Sequence, residues 1–359
     1  MNRATALIEL GSSHDECLYS QAAFLADASH EVHLVVSPDL EARVSGWDCV
    51  AGLHILDSSG GEWGALRTAW RLRALLDAIG ADTAVFNTAQ GAVVRDFTLL
   101  PQGGRRLAGV LHNIHKLRDS RGQRLISRRI KRYLVLNDYL LENRDDRLDL
   151  TLGWFYPIFF PQVEGVPVDK QPGEFWAAVP GKIDFQRRDY RGLLQGMVDT
   201  ELPANLKFLM LGPYENDDVR REVQELAATT GQPGRFRFFD GFVENATLQS
   251  YLKASDLVLT LLHPGTERFG EYSRIQITGS FNLAYGHKVP LLMENFFARY
   301  RAFVGNSIFY GKDDLVPTLA RLAADPGPIA PLKAAMAEDP RLTFEYQRDQ
   351  YLAVVDGST

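Results

Sequence analysis

Short apolar runs rich in Val, Ile, Leu and Phe recur along the chain between longer segments of helical period. That is the pattern of repeated βα units around a buried parallel sheet. In the first half the strand-like runs are Thr5–Leu10, Val32–Val36, Leu53–Leu56, Thr83–Asn87, Leu107–Leu111 and Tyr133–Asn137. Glu16–Ala28 and Trp63–Ile79 read as helices, the second with Gly80 as its C-terminal cap. Leu152–Pro161, followed by Gly165, Pro167, Pro172 and Gly173, interrupts regular structure and marks a domain boundary. A second alternation then runs through Phe175–Val179, Lys207–Leu211, Arg235–Phe239, Leu257–Leu262, Val289–Leu292 and Ser307–Tyr310. Asn216 is placed to cap the helix after Lys207–Leu211, whose Val219, Val223, Leu226 and Ala227 fall on one face.

These elements predict an α/β protein of two Rossmann-like domains whose parallel sheets face each other across a cleft. Residues 1–164 form the first domain and 165–340 the second; Phe344-Glu345-Tyr346-Gln347-Arg348-Asp349-Gln350-Tyr351 resembles the terminal helix of a known two-domain family, which implies that 341–359 is a helix crossing back to the first. A length of 359 residues suits two such cores, and open sheets of this kind bind ligands at the carboxyl ends of their strands. No short repeat points to a solenoid or propeller. With 45% hydrophobic and 23% charged residues the chain reads as an ordinary globular protein, and the lack of a long apolar stretch at its start reads as cytoplasmic. Cys17 and Cys49 read as free thiols.

A net charge of −6 argues against a nucleic-acid binder. One segment departs from it: Lys116–Arg132 holds eight basic residues against the single acid Asp119. It reads either as a surface for anionic lipid, peripheral to the inner face of a membrane, or as a solvated helix face.

The first strand is followed by Gly11-Ser12-Ser13-His14-Asp15-Glu16. This lacks the three-glycine spacing of a dinucleotide site, so an NAD or FAD enzyme is disfavoured. His14 can stand beside an acceptor hydroxyl as a base, with Asp15 as the alternative; equally, Ser13 or Asp15 can simply cap the next helix. His112 ends another strand and reads as a substrate contact or an ordinary hydrogen-bonding residue, and no metal site is expected with His115 because no further ligand stands at the right spacing. In the second half, Val179-Pro180-Gly181-Lys182 leads through Arg187 and Arg188 into a helix, and Lys182 and Arg188 together can neutralise a diphosphate.

This last stretch resembles the phosphate motif of retaining GT-B glycosyltransferases of the family 4 (group 1) type, with its two cations exchanged. Further landmarks follow in that family's order: Leu211-Gly212-Pro213, Phe239-Asp240-Gly241-Phe242-Val243, and Glu267-Arg268-Phe269-Gly270, which is similar to the opening of the family's paired-glutamate motif. Ile275 stands where the second glutamate belongs, and an insertion that brings Ser280 near the phosphates or ribose is the preferred repair. The resemblance implies transfer of a sugar from a nucleotide-diphosphate sugar to an acceptor hydroxyl, in polysaccharide, lipopolysaccharide or glycolipid assembly, on a carbohydrate or lipid-linked acceptor. The implied donor site comprises Gly181, Lys182, Arg187, Arg188, Gly212, Phe242, Val243, Arg268, Gly270 and Ser280, with Glu267 beside the sugar. His14, Asp15 and His112 are the acceptor-side candidates. Neither metal nor dinucleotide is required, since the sugar nucleotide is a substrate. Inverting and retaining outcomes both stay open. So do two other classes, a non-catalytic binding subunit of a glycan assembly complex and a sugar-nucleotide epimerase.

Overall fold

The computed structural model describes residues 3–58, 61–144, 148–198, 200–239 and 241–357. The chain divides into two compact units, Met1–Pro161 with Thr343–Thr359, and Gln162–Leu342.

In chain order the first unit comprises β1 (Arg3–Glu9), α1 (Leu18–Asp27), β2 (His30–Val36), α2 (Glu41–Val44), β3 (Gly52–Ile55), α3 (Gly61–Ala78), β4 (Thr83–Phe86), α4 (Ala92–Leu99), β5 (Arg106–Leu111), α5 (Lys116–Asp119), α6 (Arg121–Ile126), β6 (Arg132–Val135) and β7 (Thr151–Trp154). The strands form one parallel sheet in the order β3-β2-β1-β4-β5-β6-β7. Because the order reverses at β1, right-handed crossovers put α1 on one face of the sheet and α3, α4 and α6 on the other. Gly80 ends α3 at φ +66, and Gly80 and Ala81 donate back to the carbonyls of Asp77 and Leu76, a Schellman cap.

Leu152–Trp154, which its aromatic and proline neighbours made irregular in the sequence, is instead part of β7. The strand has no alternating apolar pattern because its cover is the C-terminal helix Phe344–Val355. A Cβ at Gly153 would meet Val354 at 2.4 Å, so only glycine lets helix and strand approach this closely. Phe24, Phe155, Phe159, Phe344 and Tyr351 then form one aromatic cluster around that helix, and Gln347 accepts from the backbone of Tyr156 at 2.6 Å.

The second unit comprises β8 (Phe175–Pro180), α7 (Tyr190–Gly196), β9 (Leu206–Leu211), α8 (Asp217–Thr229), β10 (Phe236–Phe238), α9 (Asn245–Ala254), β11 (Leu257–Leu259), α10 (Phe269–Tyr272), α11 (Gly279–His287), β12 (Leu291–Glu294), β13 (Ser307–Tyr310), α12 (Leu315–Ala324) and α13 (Ile329–Glu338). Its parallel sheet runs β10-β9-β8-β11-β12-β13. Asn216 caps α8 by accepting from Val219 at 2.9 Å, and Val219, Val223 and Ala227 are the buried face. Both sheets present strand ends whose loops carry the candidate residues.

Candidate functional site

In the second unit the site grows from two strand ends that pack backbone on backbone. Gly181 follows β8 at φ +103, a conformation L side chains rarely adopt. Gly212 follows β9, and a Cβ there would lie 2.1 Å from the Gly181 carbonyl oxygen. The turn after Gly181 is tied by Asp184, which is buried, accepts from the Arg187 amide at 2.9 Å and pairs with the Arg187 guanidinium. Arg187 also reaches the Tyr272 hydroxyl at 3.3 Å. Asp189 caps α7 through the Gly192 amide at 2.8 Å.

Between them Arg188 turns inward and is only 6% exposed. Its Nη2 donates to the Pro180 carbonyl and, at 3.0 Å, to Ser280 Oγ, which itself donates to Pro180 at 3.1 Å. Among the described residues no carboxylate pairs with Arg188, and its buried Nη1 makes no well-formed hydrogen bond, the buried Tyr190 hydroxyl being the polar group beside it. Leaving a charged donor buried and unsatisfied costs on the order of 1–3 kcal/mol or more, a cost that native sites carry where an ion, water or ligand completes the set.

Arg188 lines a pocket of about 360 Å³ between Phe185–Arg191, which leads into α7, and the loop Gly265–Glu267. This loop is fixed by Thr266, which donates to the His263 carbonyl at 2.8 Å, and by the Arg268 amide, which donates to Gln186 at 3.0 Å. Glu267 stands exposed at the rim. The structure thus brings Arg188, Ser280, Gly181 and Glu267 to one region of the second unit. Lys182 is turned outward to Glu215 at 3.4 Å and does not line the pocket. Arg268 is held by Glu271 at 2.6 Å, Phe242 is 60% exposed and Val243 buried. Asp240 lies outside the described residues. At the place of the second glutamate, Ile275 offers no carboxylate, and the nearby Glu271 is committed to Arg268 and, at 2.7 Å, to Gln276.

In the first unit the structure adds a buried acid to the sequence-predicted residues. Glu9 ends β1 only 2% exposed and accepts from Gly11 N and Asn87 Nδ2, each at 2.7 Å, and from the Thr88 hydroxyl at 2.5 Å. Burial pushes its carboxyl above the ordinary carboxylate range against those hydrogen bonds. It lines a pocket of about 280 Å³ between the ends of β1 and β4 and the start of α4. The available signal was a lone acid ending an apolar strand run.

His14, at φ +72, stacks on His112 with ring centroids 3.8 Å apart. Asn87 holds both histidines, donating to the His14 carbonyl at 3.0 Å and meeting His112 Nε2 through its own carbonyl at 2.8 Å. Desolvation would lower the His14 pKa, but the Glu16 carboxylate at 3.5 Å, with Glu9 and Asp15 behind it, raises it above the histidine norm. Burial, reinforced by His14, lowers His112 to about 4. Asp15 is engaged by Arg43 at 3.1 Å. Neither Ser13 nor Asp15 caps the following helices through its side chain.

No protein-family model matches the chain, and no curated protein matches it. Among solved structures it is similar over 99% of its length to the whole of HepE from Anabaena in complex with UDP and glucose, with a TM-score of 0.71 at 12% identity. A glycosyltransferase from Rickettsia africae matches 99% of this chain and 98% of its own with a TM-score of 0.66 at 11% identity. The chain has the GT-B glycosyltransferase fold. A putative UDP-N-acetylglucosamine 2-epimerase from Listeria monocytogenes is also similar, covering 100% of this chain and 97% of its own with a TM-score of 0.62 at 14% identity. Sequence identity this low speaks for the GT-B fold and leaves chemistry to the residues.

Proposed function

We propose that this GT-B chain is a glycosyltransferase that moves a sugar from a nucleoside-diphosphate sugar to an acceptor hydroxyl. The observation that carries the reading is Arg188, a buried guanidinium without a carboxylate, with one nitrogen making no well-formed hydrogen bond, on a pocket whose other wall holds Glu267. A diphosphate is the ligand this arrangement suits, because planar guanidinium donors match phosphate oxygens and gain strength where water is excluded. In the transfer, the bond from the sugar's anomeric carbon to the phosphate oxygen breaks and the diphosphate leaves with the electron pair. The acceptor oxygen forms the new bond and gives up its proton. Arg188 stabilises the charge that gathers on the leaving group, and Glu267 supports the electron-poor sugar. In an inverting course His14 takes the proton; in a retaining course the departing diphosphate oxygen takes it and no separate base is needed.

The UDP, glucose and UDP-glucose in HepE complexes make uridine nucleotides the first donors to test. We place the acceptor among carbohydrates and lipid-linked sugars of polysaccharide or glycolipid assembly, with Lys116–Arg132 facing an anionic membrane. Among the described residues no helix is long and apolar enough to cross a membrane. The test is thermal stabilisation by a panel of UDP-, GDP-, dTDP-, ADP- and CMP-sugars, followed by the same panel on Arg188→Ala. Stabilisation by one nucleotide class that disappears in the variant supports the reading; no stabilisation by any of them overturns it. An epimerase, as in the Listeria neighbour, would be revealed by isomerisation of the sugar nucleotide without an acceptor.

A further inference from the structure

The outward face of α3 carries residues that a helix facing only water does not need. Inward, Ala65, Thr68, Ala69, Leu72 and Leu76 are buried and hold the helix to the sheet. Outward, Trp63 is 86% exposed, Leu66 39% and Trp70 53%. The spacing i, i+3, i+7 sets the three on one stripe. Single exposed apolar residues are ordinary, but two indoles and a leucine in line make a patch that marks an interaction surface.

Charge decides what covers it. Arg67 and Arg71 are exposed along one flank of the stripe. On the same face of the sheet α4 packs between α3 and α6, and the exposed Arg121, Arg124, Arg128 and Arg129 continue the positive charge on and beyond α6. All this sits in a chain of net charge −6, so the basic residues are gathered here against the balance of the whole. A second copy seated by two-fold symmetry would bring Arg67 and Arg71 towards the same arginines. A lipid surface suits both features, since indoles settle at the headgroup level, arginine stems lie along apolar surface, and guanidinium heads meet lipid phosphates.

We propose that the outer face of α3 docks on an anionic lipid bilayer, with Trp63 and Trp70 entering the headgroup region while Arg67, Arg71 and the arginines of the α6 segment bind its phosphates. This deepens the membrane reading of Lys116–Arg132 and rests on it for its purpose, namely bringing the enzyme to a lipid-linked acceptor. Docking itself needs no sugar nucleotide, so its failure and a failure of donor binding are told apart by separate measurements.

The experiment is co-sedimentation of the full chain with vesicles of phosphatidylcholine alone or with about one third phosphatidylglycerol, at low and near-physiological salt. The expected result is retention on the phosphatidylglycerol vesicles only, weaker at higher salt, with a blue shift of tryptophan emission. Trp63→Ser/Trp70→Ser should bind at least about tenfold more weakly and lose the shift, and Arg67→Glu/Arg71→Glu should bind more weakly with a shallower salt dependence. Both variants should keep the wild-type unfolding temperature and any stabilisation by sugar nucleotides. Absence of retention on the anionic vesicles, or retention unchanged in Trp63→Ser/Trp70→Ser, overturns the proposal. So does a lipid-free protein that sediments as a dimer and becomes a monomer in that variant, because the stripe would then be covered by a second copy.

Discussion

The imidazole of His14 lies stacked on that of His112, with centroids 3.8 Å apart and ring planes 23° apart, yet the two are pushed to opposite sides of the histidine norm. The difference lies in what else each ring meets: His14 has the Glu16 carboxylate, while half-buried His112 meets the Asn87 backbone carbonyl.

Stability should therefore depend on pH with a sign that can be assigned. His112, lowered to about 4, binds fewer protons in the native than in the unfolded state between its native value and an unfolded value of about 6.5. Its contribution is present above that window and is lost as pH falls through it. His14, raised, contributes in the opposite sense, fully below the unfolded value and less as pH rises through its native one. Urea unfolding of His112→Asn at pH 7 and pH 5 should show a fall smaller than the wild type's by about 2 kcal/mol. Equal falls in the two proteins would remove His112 as the titrating group.

Arg188 and Ser280 should separate in their effects on the donor. Arg188→Ala should weaken sugar-nucleotide binding at least tenfold, about 1.4 kcal/mol, and Arg188→Lys should recover little because the planar fork is lost. Ser280→Ala keeps the guanidinium but removes one of its anchors, so a loss of about threefold is expected. Calorimetric titration with the nucleotide found in the stabilisation panel measures all three, and wild-type affinity in Arg188→Ala would remove the residue from the donor site.

Most of the fold was legible because buried parallel strands write themselves as unbroken apolar runs, as in Phe175–Pro180. Strand β7 was not legible, since Gly153 and Trp154 derive their place from the helix Phe344–Val355, about two hundred residues on along the chain, through contacts no local pattern records. The site divides in the same way. Lys182 and Arg188 look alike in sequence as cations beside a turn. Their difference arises from the path after Gly181, which buries Arg188 on Pro180 and Ser280 and leaves Lys182 outside with Glu215. Glu9 was missed because a strand-ending acid gains meaning only when Asn87 and Thr88 arrive from β4's end.

The glycines of the donor-side loops should respond differently to alanine. Gly212→Ala drives a Cβ into the Gly181 carbonyl, and Gly181→Ala adds strain at φ +103 and a 2.9 Å approach to Arg188. Each should destabilise the protein by about 1–3 kcal/mol in urea unfolding. Gly270, in contrast, has nothing within 4 Å of a built Cβ, and helical alanine is favoured over glycine. Gly270→Ala should hold or slightly raise stability, so any loss of activity there reports the approach of a ligand.

Glu267 offers the sharpest separation of binding from chemistry. It is exposed at the pocket rim, and among the described residues it has no ion-pair partner. Removing its charge should therefore leave the unfolding temperature unchanged. If the carboxylate supports positive charge developing on the sugar, the interaction strengthens on the way to the transition state. Glu267→Gln should then lower kcat about a hundredfold or more while donor affinity changes far less. A fall in affinity with kcat preserved would make Glu267 a contact of the bound donor only, and its role in supporting the transferring sugar would be lost.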